Sequence, residues 1–311
     1  MQRNGSWSEY SVSVIIPCYN ASKFIRRAID SVLNQDFESL EIIAVDDGSN
    51  DETRTILESY LPNIKILSHP NHANLGQGPS LNLGIRESKS NLIAFLDADD
   101  IWYPYKVKEQ VRIFQKFSDV GLVYTNGHVI DDQDDTLYEI YPDDHHEENI
   151  TGKILLKCYI RTPSLVMIRR EMFTKTGLFQ SYCHAIDHDM WIRMSELTKF
   201  YYIPKFLRAY RKHNGQRSLE RNLWESGFGV LKDACDRYPY GWYLKRKRFS
   251  VLCYRLAQHD WRHGNYFQAL MNHCWAGVSY SLGIIGVILS RIKGPVEPVL
   301  RTFYHPNWLG R

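Results

Sequence analysis

The first 125 residues alternate between short apolar runs and segments whose apolar side chains recur at helical spacing. The apolar runs lie at 12–16, 41–45, 64–67, 91–96 and 120–124. There are four helical segments. The first is at 22–34, the second begins near residue 52, the third follows the turn at 74–78 and ends at about 87, and the fourth is at about 105–117. Strands that alternate with helices at this rhythm form right-handed βαβ units. The sequence therefore predicts an α/β fold with a mostly parallel sheet flanked by helices on both faces.

Polar and acidic residues follow these strands. Ligands of parallel sheets bind in the crevice at the carboxyl ends of the strands. The residues at the first, second and fourth strand ends are Pro17, Tyr19 and Asn20; Asp46, Asp47, Gly48 and Ser49; and Asp97, Asp99 and Asp100. Three strand ends, two of them rich in carboxylates, are therefore expected to converge on one site.

Asp97 and Asp99 form an Asp-x-Asp pair directly after a hydrophobic strand. Carboxylates at this density repel one another unless a cation or a hydrogen-bonded ligand separates them. Mg²⁺ or Mn²⁺, held by one or two carboxylates and completed by substrate phosphates, suits this ligand set. The pair could instead be a loop and helix cap, but its convergence with Asp46 and Asp47 favours the cation site.

The net charge of +3 hides an uneven distribution. Residues 1–150 carry 12 basic and 25 acidic side chains, whereas residues 151–311 carry 26 basic and 10 acidic ones. Acidic runs at 131–135 and 143–148 supply much of the first excess and indicate solvated loops. Six scattered cysteines with no Cys-x-x-Cys pair argue against a zinc module or a disulfide framework. The absence of Gly-x-x-x-x-Gly-Lys and Gly-x-Gly-x-x-Gly motifs argues against nucleotide hydrolases and nicotinamide dehydrogenases.

Four segments, taken in order, resemble the successive motifs of the family 2 glycosyltransferases. They are Val-Ser-Val-Ile-Ile-Pro-Cys-Tyr-Asn at 12–20, Val-Asp-Asp-Gly-Ser at 45–49, Asn-Leu-Gly at 74–76 and Phe-Leu-Asp-Ala-Asp-Asp at 95–100. The resemblance implies the GT-A fold and an inverting, metal-dependent transfer of one sugar from a nucleotide sugar, with a UDP-sugar as the first candidate. The acceptor it implies is a glycan or a lipid-linked intermediate of cell-surface polysaccharide assembly.

The resemblance also implies a domain organisation. It covers about residues 11–213 and implies a GT-A domain at 1–218, followed by a helical C-terminal extension at 219–311. Within the domain, a Rossmann-like nucleotide-binding half is expected at about 11–125 and an acceptor half at 126–218. A strand at 161–168 matches a family strand that is expected to line the acceptor cleft.

The family pattern assigns roles to the strand-end residues. Tyr19 and Asp47 are expected to contact the base, Asp97 the ribose, and Asp99 the metal on the diphosphate. Asp46 either shares the role of Asp47 or only tethers the loop. The remaining residues of the expected nucleotide-sugar site are Pro17, Asn20, Gly48, Ser49, Gly76 and Ala98, with Asp100 as a further candidate.

Inverting transfer needs a base that accepts the proton of the acceptor hydroxyl. The segment at 184–194 resembles the family's acidic motif before Trp-x-x-Arg, which assigns the base to Asp187. The glutamate that precedes the base in the family is Ile186 here. Asp189 is the second candidate, but Asp187 and not Asp189 shares a helix face with Trp191. Asp187 could also serve as a helix N-cap.

The segment at 210–218 resembles the family's terminal Tyr-Arg-x-His element. His213 is expected to complete the metal shell or to bond the diphosphate, and Arg211 or Arg217 to meet phosphate charge. The alternative is a basic turn at the surface.

The C-terminal extension is rich in Trp, Tyr and Arg, with a basic run at 245–248. No nucleic-acid-binding signature accompanies this run, which leaves two interpretations. The run is either a solvated helical face or a surface that binds an anionic membrane or a lipid-linked diphosphate. The uncharged stretch at 275–290 is shorter than the roughly 20 apolar residues that span a bilayer. It therefore predicts an interfacial or packed helix and not a membrane span. The expected location is cytoplasmic, with peripheral association at the inner face of the cytoplasmic membrane as the alternative.

Two other functions remain open from the residues. A sugar-1-phosphate nucleotidyltransferase would need a Gly-rich basic loop after the first strand, where Pro17-Cys-Tyr-Asn-Ala-Ser22 stands instead. A non-catalytic family member that only binds the nucleotide sugar is disfavoured by the intact acidic set at Asp47, Asp97, Asp99 and Asp187. Several long membrane spans and a Gln-x-x-Arg-Trp element, both typical of processive family members, are not found, so addition of one sugar per encounter is expected.

Overall fold

The computed structural model describes residues 10–141, 150–158, 160–180, 185–213 and 221–291, with only the helix backbone described for 282–291. The chain divides into two compact units, residues 1–234 and 235–311. The domain boundary expected at residue 218 lies outside the described residues. Arg217, one of the two arginines expected to meet phosphate, also lies outside them.

The first unit begins with alternating strands and helices, as the periodicity predicts. The elements in order are β1 (Val12–Cys18), α1 (Ile25–Leu33), β2 (Leu40–Asp46), α2 (Thr53–Glu58), β3 (Lys65–Ser68), α3 (Gln77–Glu87), β4 (Leu92–Phe95), β5 (Ile101–Trp102) and α4 (Lys106–Lys116). Strands β1 to β4 pair in parallel in the order β3-β2-β1-β4.

The second half of this unit is mixed. Its elements are β6 (Val120–Ile130), β7 (Thr136–Glu139), α5 (Thr151–Leu156), β8 (Val166–Arg169), α6 (Glu171–Thr176), α7 (Ile186–Ser195), β9 (Lys199–Arg211) and α8 (Arg221–Arg237). The sheet continues from β4 through β8, β6 and β9 to β5, and β7 pairs with β6. The α/β fold is confirmed, with parallel pairing among β1–β4 and between β6 and β9. The sheet is mixed because β5, β7 and β8 lie antiparallel to their neighbours.

Both faces of β1 are buried because its apolar side chains alternate between two helical layers. Val14 and Ile16 join one core with Ile25 and Ile29 of α1. On the other face, α3 approaches so closely that a side chain at Gly84 would stand 2.4 Å from Ile15 Cγ2. This contact sets the distance between helix and sheet beneath the predicted crevice.

The second unit contains a helical hairpin of α9 (Trp242–Arg262) and α10 (Tyr266–Arg291). The turn between them contains Gly264 at φ +78°, a conformation that favours glycine. Asn272 of α10 donates from Nδ2 to Asp260 Oδ2 of α9 at 3.0 Å. Across the described residues, no helix combines the length and the apolar character needed to cross a membrane.

Replacing Gly84 by Ala should destabilise the first unit by about 1–3 kcal/mol, because the new methyl group overpacks a rigid helix–sheet contact. Gly229→Ala in α8 is the matched control, since a side chain there would meet no atom within 4 Å. The control should be neutral or stabilising by up to about 1 kcal/mol. Denaturant unfolding of both variants measures the difference, and equal effects would contradict the close approach.

Candidate functional site

The loops after β1 and β2 interlock through backbone and side-chain hydrogen bonds. The N–H of Asn20 donates to Ser49 Oγ at 3.1 Å, and the N–H of Asn50 donates to Asn20 Oδ1 at 2.8 Å. Asp46 Oδ1 accepts from the N–H of Ser49 at 3.1 Å. These bonds hold one rim of the crevice, and the exposed ring of Tyr19 lies on it next to Asn20. Pro17 lies within β1, paired in register with Val45 of β2.

Asp47 fastens the turn that precedes α3. Its Oδ1 accepts from the N–H of Leu75 and its Oδ2 from the N–H of Gly76, both at 2.8 Å. The buried imidazole of His69 lies 3.5 Å from Asp47 Oδ1 and bonds Ser80 Oγ at 3.0 Å. The loop-tethering role that the sequence left open for Asp46 is thus filled by Asp46 and Asp47 together.

Gly48 is required by this arrangement. Its φ is +76°, and a side chain there would stand 2.4 Å from the carbonyl oxygen of His72. The loop after β2 therefore lies directly against the turn that Asp47 holds. This contact brings Gly48 and Gly76 to the same part of the crevice.

Asp97, at the end of β4, is held by three side chains. Gln77 Nε2 donates to its Oδ1 at 3.0 Å, and the hydroxyls of Thr162 and Ser164 donate to its Oδ2 at 3.1 and 2.9 Å. Burial raises the pKa of Asp97, and the neighbouring charge of Asp99 raises it further. The Asp97 carboxylate is thus fixed in direction next to the turn that Asp47 holds, because Gln77 directly follows Gly76 of that turn. Ala98 packs against the core.

Asp99 and His213 meet although 114 residues separate them in sequence. His213 Nε2 lies 3.0 Å from Asp99 Oδ2, and the two side chains are 23% and 30% exposed. The His213 ring packs against Phe24, with ring centroids 5.4 Å apart. No group of three or more potential metal-ligating side chains forms among the described residues.

This pair fits a divalent cation chemically. Asp99 Oδ2 and His213 Nε2 lie 3.0 Å apart and both side chains are partly exposed, so the two atoms are close enough to face one ion. A carboxylate oxygen and an imidazole nitrogen form a set that suits Mn²⁺, with carboxylate alone also suiting Mg²⁺. Asp99 and His213 would supply two ligands to such a cation, and substrate or water would supply the others.

Asp100 is turned away from the crevice and is fully buried. Its Oδ2 forms an ion pair with the equally buried Arg208 of β9, and its Oδ1 accepts from the N–H of Arg211 at 3.1 Å. Arg211 Nε in turn donates to the carbonyl oxygen of Asp99 at 3.0 Å. Three bonds therefore fasten the acidic loop to the end of β9, the strand that leads to His213.

Arg211 does not have the phosphate-facing position that the sequence suggested. Its guanidinium is buried, donates from Nη1 to the carbonyl oxygen of Asp131 at 2.7 Å, and pairs with Asp134. The positive charge of Arg211 is therefore neutralised by Asp134 within the protein.

The run at 131–135 is likewise more than a solvated loop. Lys23 pairs with Asp132 at 2.5 Å and Arg27 pairs with Asp134 at 2.9 Å, which ties α1 to the β6–β7 hairpin. The second acidic run, at 143–148, lies outside the described residues.

Asp187 lies in the first turn of α7 and, unlike the other residues of this helix, is only partly buried. Helix α7 begins at Ile186 with Ala185 as its N-cap, so Asp187 is not the N-cap. Burial raises the pKa of Asp187 to about 6, and the negative charge of Asp97 contributes to the rise. The two carboxylates therefore interact electrostatically.

Asp189, the second candidate base, is committed to an ion pair. Arg193 lies 2.7 Å from its Oδ2, and both side chains are at most 5% exposed. Arg193 also donates to the carbonyl oxygens of Thr176 and Leu178 at 2.7 and 3.0 Å. Asp189 thus positions an arginine that holds the loop before α7.

The sequence matches the family model described as Glycosyl transferase family 2 over residues 13–177, more than half of the chain. The chain belongs to this family of glycosyltransferases. An uncharacterized glycosyltransferase of Rickettsia prowazekii is 34% identical over 235 residues, which are 70% of this chain and 71% of the relative. Chondroitin synthase of Escherichia coli is 29% identical over 244 residues, 78% of this chain but 34% of that protein. The chain therefore spans about a third of the length of this longer relative.

Solved structures confirm the GT-A fold. Residues 1–349 of TarS from S. aureus superpose with a TM-score of 0.61 at 13% identity, covering 90% of this chain and 92% of that one. The mannosyltransferase PcManGT from Pyrobaculum calidifontis, solved with GDP-Man and Mn²⁺, gives a TM-score of 0.61 at 17% identity, covering 92% and 81%. TarS has also been solved in complex with UDP-GlcNAc, with a TM-score of 0.59 to this chain.

Several side chains of the glycosyltransferase crevice were not identified from the sequence. Gln77, Thr162 and Ser164 hold Asp97, and His69 contacts Asp47. Thr162 and Ser164 belong to the segment expected to line the acceptor cleft. Two hydroxyl side chains two residues apart in that segment were the sequence feature that could have indicated their contact with Asp97. Nothing in the sequence separates His69 from an ordinary loop histidine.

Removing the positive charge of Arg208 should destabilise the first unit strongly. Arg208→Met leaves the Asp100 carboxylate buried without a counter-charge, which costs about 3–5 kcal/mol. Lys199→Met is the matched control, because the Lys199–Asp119 pair is 71% and 56% exposed and contributes about 1 kcal/mol or less. In urea unfolding, the double variant Asp100→Asn/Arg208→Met should be more stable than Arg208→Met alone. An equal or lower stability of the double variant would contradict the buried ion pair.

Proposed function

We propose that this glycosyltransferase is an inverting, metal-dependent hexosyltransferase that moves one sugar from a nucleotide sugar to an acceptor hydroxyl. The observation that carries the proposal is the Asp99–His213 pair, which stands beside the fixed carboxylate of Asp97. Asp187, with its raised pKa, interacts with that same Asp97 charge. The proposed metal pair and the proposed base therefore both interact electrostatically with one carboxylate.

The nucleotide is proposed to bind across the ends of β1 and β2, with UDP as the first candidate. Tyr19 offers an exposed ring for the base, and Asp97 offers a directed carboxylate for the ribose. The remaining residues of the proposed nucleotide-sugar site are Pro17, Asn20, Asp47, Gly48, Ser49, Gly76 and Ala98. The complexes of TarS with UDP-GlcNAc and of PcManGT with GDP-Man support a nucleotide-sugar donor.

Asp99 and His213 are proposed to hold a divalent cation, with Mn²⁺ favoured over Mg²⁺ because of the imidazole ligand. When bound, such an ion stabilises the negative charge that develops on the departing diphosphate. The Mn²⁺ of the PcManGT complex supports this assignment. Asp100 and Arg211 act in the proposal as positioning residues, because they connect the loop of Asp99 to the strand before His213.

Asp187 is proposed to take the proton of the acceptor hydroxyl. As that O–H bond breaks, the oxygen forms a bond to the anomeric carbon, and the bond from this carbon to the diphosphate oxygen breaks on the opposite face. A carboxylate with a pKa near 6 is unprotonated at neutral pH yet more basic than an ordinary aspartate. Asp189 is disfavoured as the base, because it is ion-paired and buried.

The acceptor is proposed to be a glycan or lipid-linked intermediate in cell-surface polysaccharide synthesis, glycosylated once per encounter at the cytoplasmic face of the membrane. The basic excess of residues 151–311 supports an anionic partner. Membership of the glycosyltransferase family favours sugar transfer over the nucleotidyltransferase alternative. A member that only binds the nucleotide sugar remains the second alternative, and the two measurements below distinguish it.

Calorimetry should detect UDP binding that is at least roughly tenfold tighter with Mn²⁺ than with a chelator, because a cation held by Asp99 and His213 would attract the negative diphosphate. His213→Ala should remove most of this metal-dependent gain and leave metal-independent binding unchanged. His128→Ala is the matched control, since His128 is stacked on Phe206 and lies outside the proposed metal pair. Binding that does not respond to metal would overturn the proposed cation site.

Asp187→Asn should lower turnover by about 100-fold or more while UDP affinity stays the same, because the amide keeps the shape but accepts no proton. Asp119→Asn, an exposed carboxylate paired with Lys199, is the control and should retain full turnover. If the wild type and the Asp119→Asn control both bound the donor but showed no turnover, the protein would be the non-catalytic family member.

The same assignment fixes the direction of the pH dependence. A base with a pKa of about 6 must be unprotonated to act, so kcat/KM should fall about tenfold per pH unit below 6 and be level above it. The residual rate of Asp187→Asn should lack this acidic limb. If the limb persisted in that variant, another group would be the base.

A further inference from the structure

Helix α10 presents two different faces along its described side chains. One face is buried at Ala269, Asn272, Ala276 and Ser279, which recur every three or four residues. This face packs on α9, where Ser250 Oγ donates to the carbonyl oxygen of Ala276 at 2.8 Å. The buried face is made of small and polar side chains, so the large apolar side chains of α10 lie elsewhere.

Those large side chains form an exposed row, which we call the α10 stripe. It consists of Phe267, Leu270, Met271, Cys274, Trp275 and Val278. Their spacing of three and four residues places them on one face of the helix. Phe267 is 77% exposed, and Leu270, Trp275 and Val278 are each more than half exposed. A contiguous apolar surface of this kind marks an interaction site.

The charges around the stripe select its partner. Residues 264–290 contain no Asp, Glu, Lys or Arg, and Arg262 and Arg291 stand at the two ends of this segment. Across residues 235–291 there are eight basic and only two acidic side chains, and one of the two, Asp260, is buried. The stripe is thus an uncharged apolar row in a segment with an arginine at each end, within a basic unit. It complements a layer with an apolar interior and negatively charged groups at its surface.

We propose that the α10 stripe docks on the surface of an anionic lipid bilayer, with the helix lying in the plane of the interface. Trp275 and Phe267 enter the boundary between head groups and acyl chains, and the basic side chains of the unit, such as Arg262 at the end of α9, meet the anionic head groups. A second copy of this chain is a less suitable occupant, because a symmetric contact would bring two strongly basic units together. The proposal concerns docking and does not depend on the transfer reaction.

Co-sedimentation of the full chain with vesicles tests the proposal. The protein should bind mixed phosphatidylcholine/phosphatidylglycerol vesicles, bind pure phosphatidylcholine more weakly, and lose the difference at high salt. Phe267→Ser/Trp275→Ser should weaken partitioning roughly tenfold or more, because two large apolar side chains no longer enter the interface. Both positions are more than half exposed, so the fold should persist, and an unchanged circular dichroism spectrum verifies this.

Leu137→Ser/Tyr138→Ser in β7 is the matched control, since these apolar side chains are each 49% exposed but lie outside the stripe. It should bind vesicles like the wild type. Failure of the wild type to bind, or equal binding by the stripe variant, would overturn the proposal. Light scattering that shows an oligomer dissociated by the stripe variant would assign the face to a second copy instead and would also overturn it. UDP calorimetry on the same samples distinguishes these outcomes from a failure of the proposed catalytic site.

Discussion

The buried carboxylate of Asp100 is the interaction on which the arrangement of the site depends. It pairs with Arg208 inside β9 and accepts the N–H of Arg211 at the end of the same strand. Because a buried charge is stable only when it is paired, the loop after β4 cannot move relative to β9 without exposing or orphaning that charge. Asp99, which precedes Asp100 in the chain, and His213, which follows β9, are held together as a consequence.

The carboxylates of the crevice form two groups that differ in burial and in hydrogen-bond partners. Asp47 and Asp189 are buried and bonded to backbone N–H groups or an arginine, so they hold loops in place. Asp97, Asp99 and Asp187 are less buried and face one another electrostatically. Motif position alone does not distinguish the two groups, because all of them follow strands or open a helix. Burial and bonding partners make the distinction.

The extent to which the sequence predicts this molecule follows from the range of the interactions involved. Strands β1–β4 and the helices between them were predicted because their periodicity is local, and helix α3 ends at Glu87 as expected. The antiparallel entry of β8 was not predicted, since strand direction depends on contacts between distant segments. For the same reason the sequence suggested a phosphate contact for Arg211, whose actual partners, Asp131 and Asp134, lie about 80 residues away.

Three carboxylates around one crevice are unfavourable for the folded protein when no ligand is present. Burial and mutual repulsion raise the pKa values of Asp97 and Asp187, and the side-chain donors at Asp97 are neutral hydroxyl and amide groups. Elsewhere in the first unit, as at Asp100 and Asp134, buried or crowded acids are given arginine partners. Asp97 and Asp187 accept hydrogen bonds from neutral donors only, whereas Asp100 and Asp134 are paired directly with arginine, and this contrast supports the proposed cation site. The absence of a directly paired arginine among the described residues, more than the acidic total of the first 150 residues, distinguishes the carboxylates proposed to act on substrate from those that hold the fold.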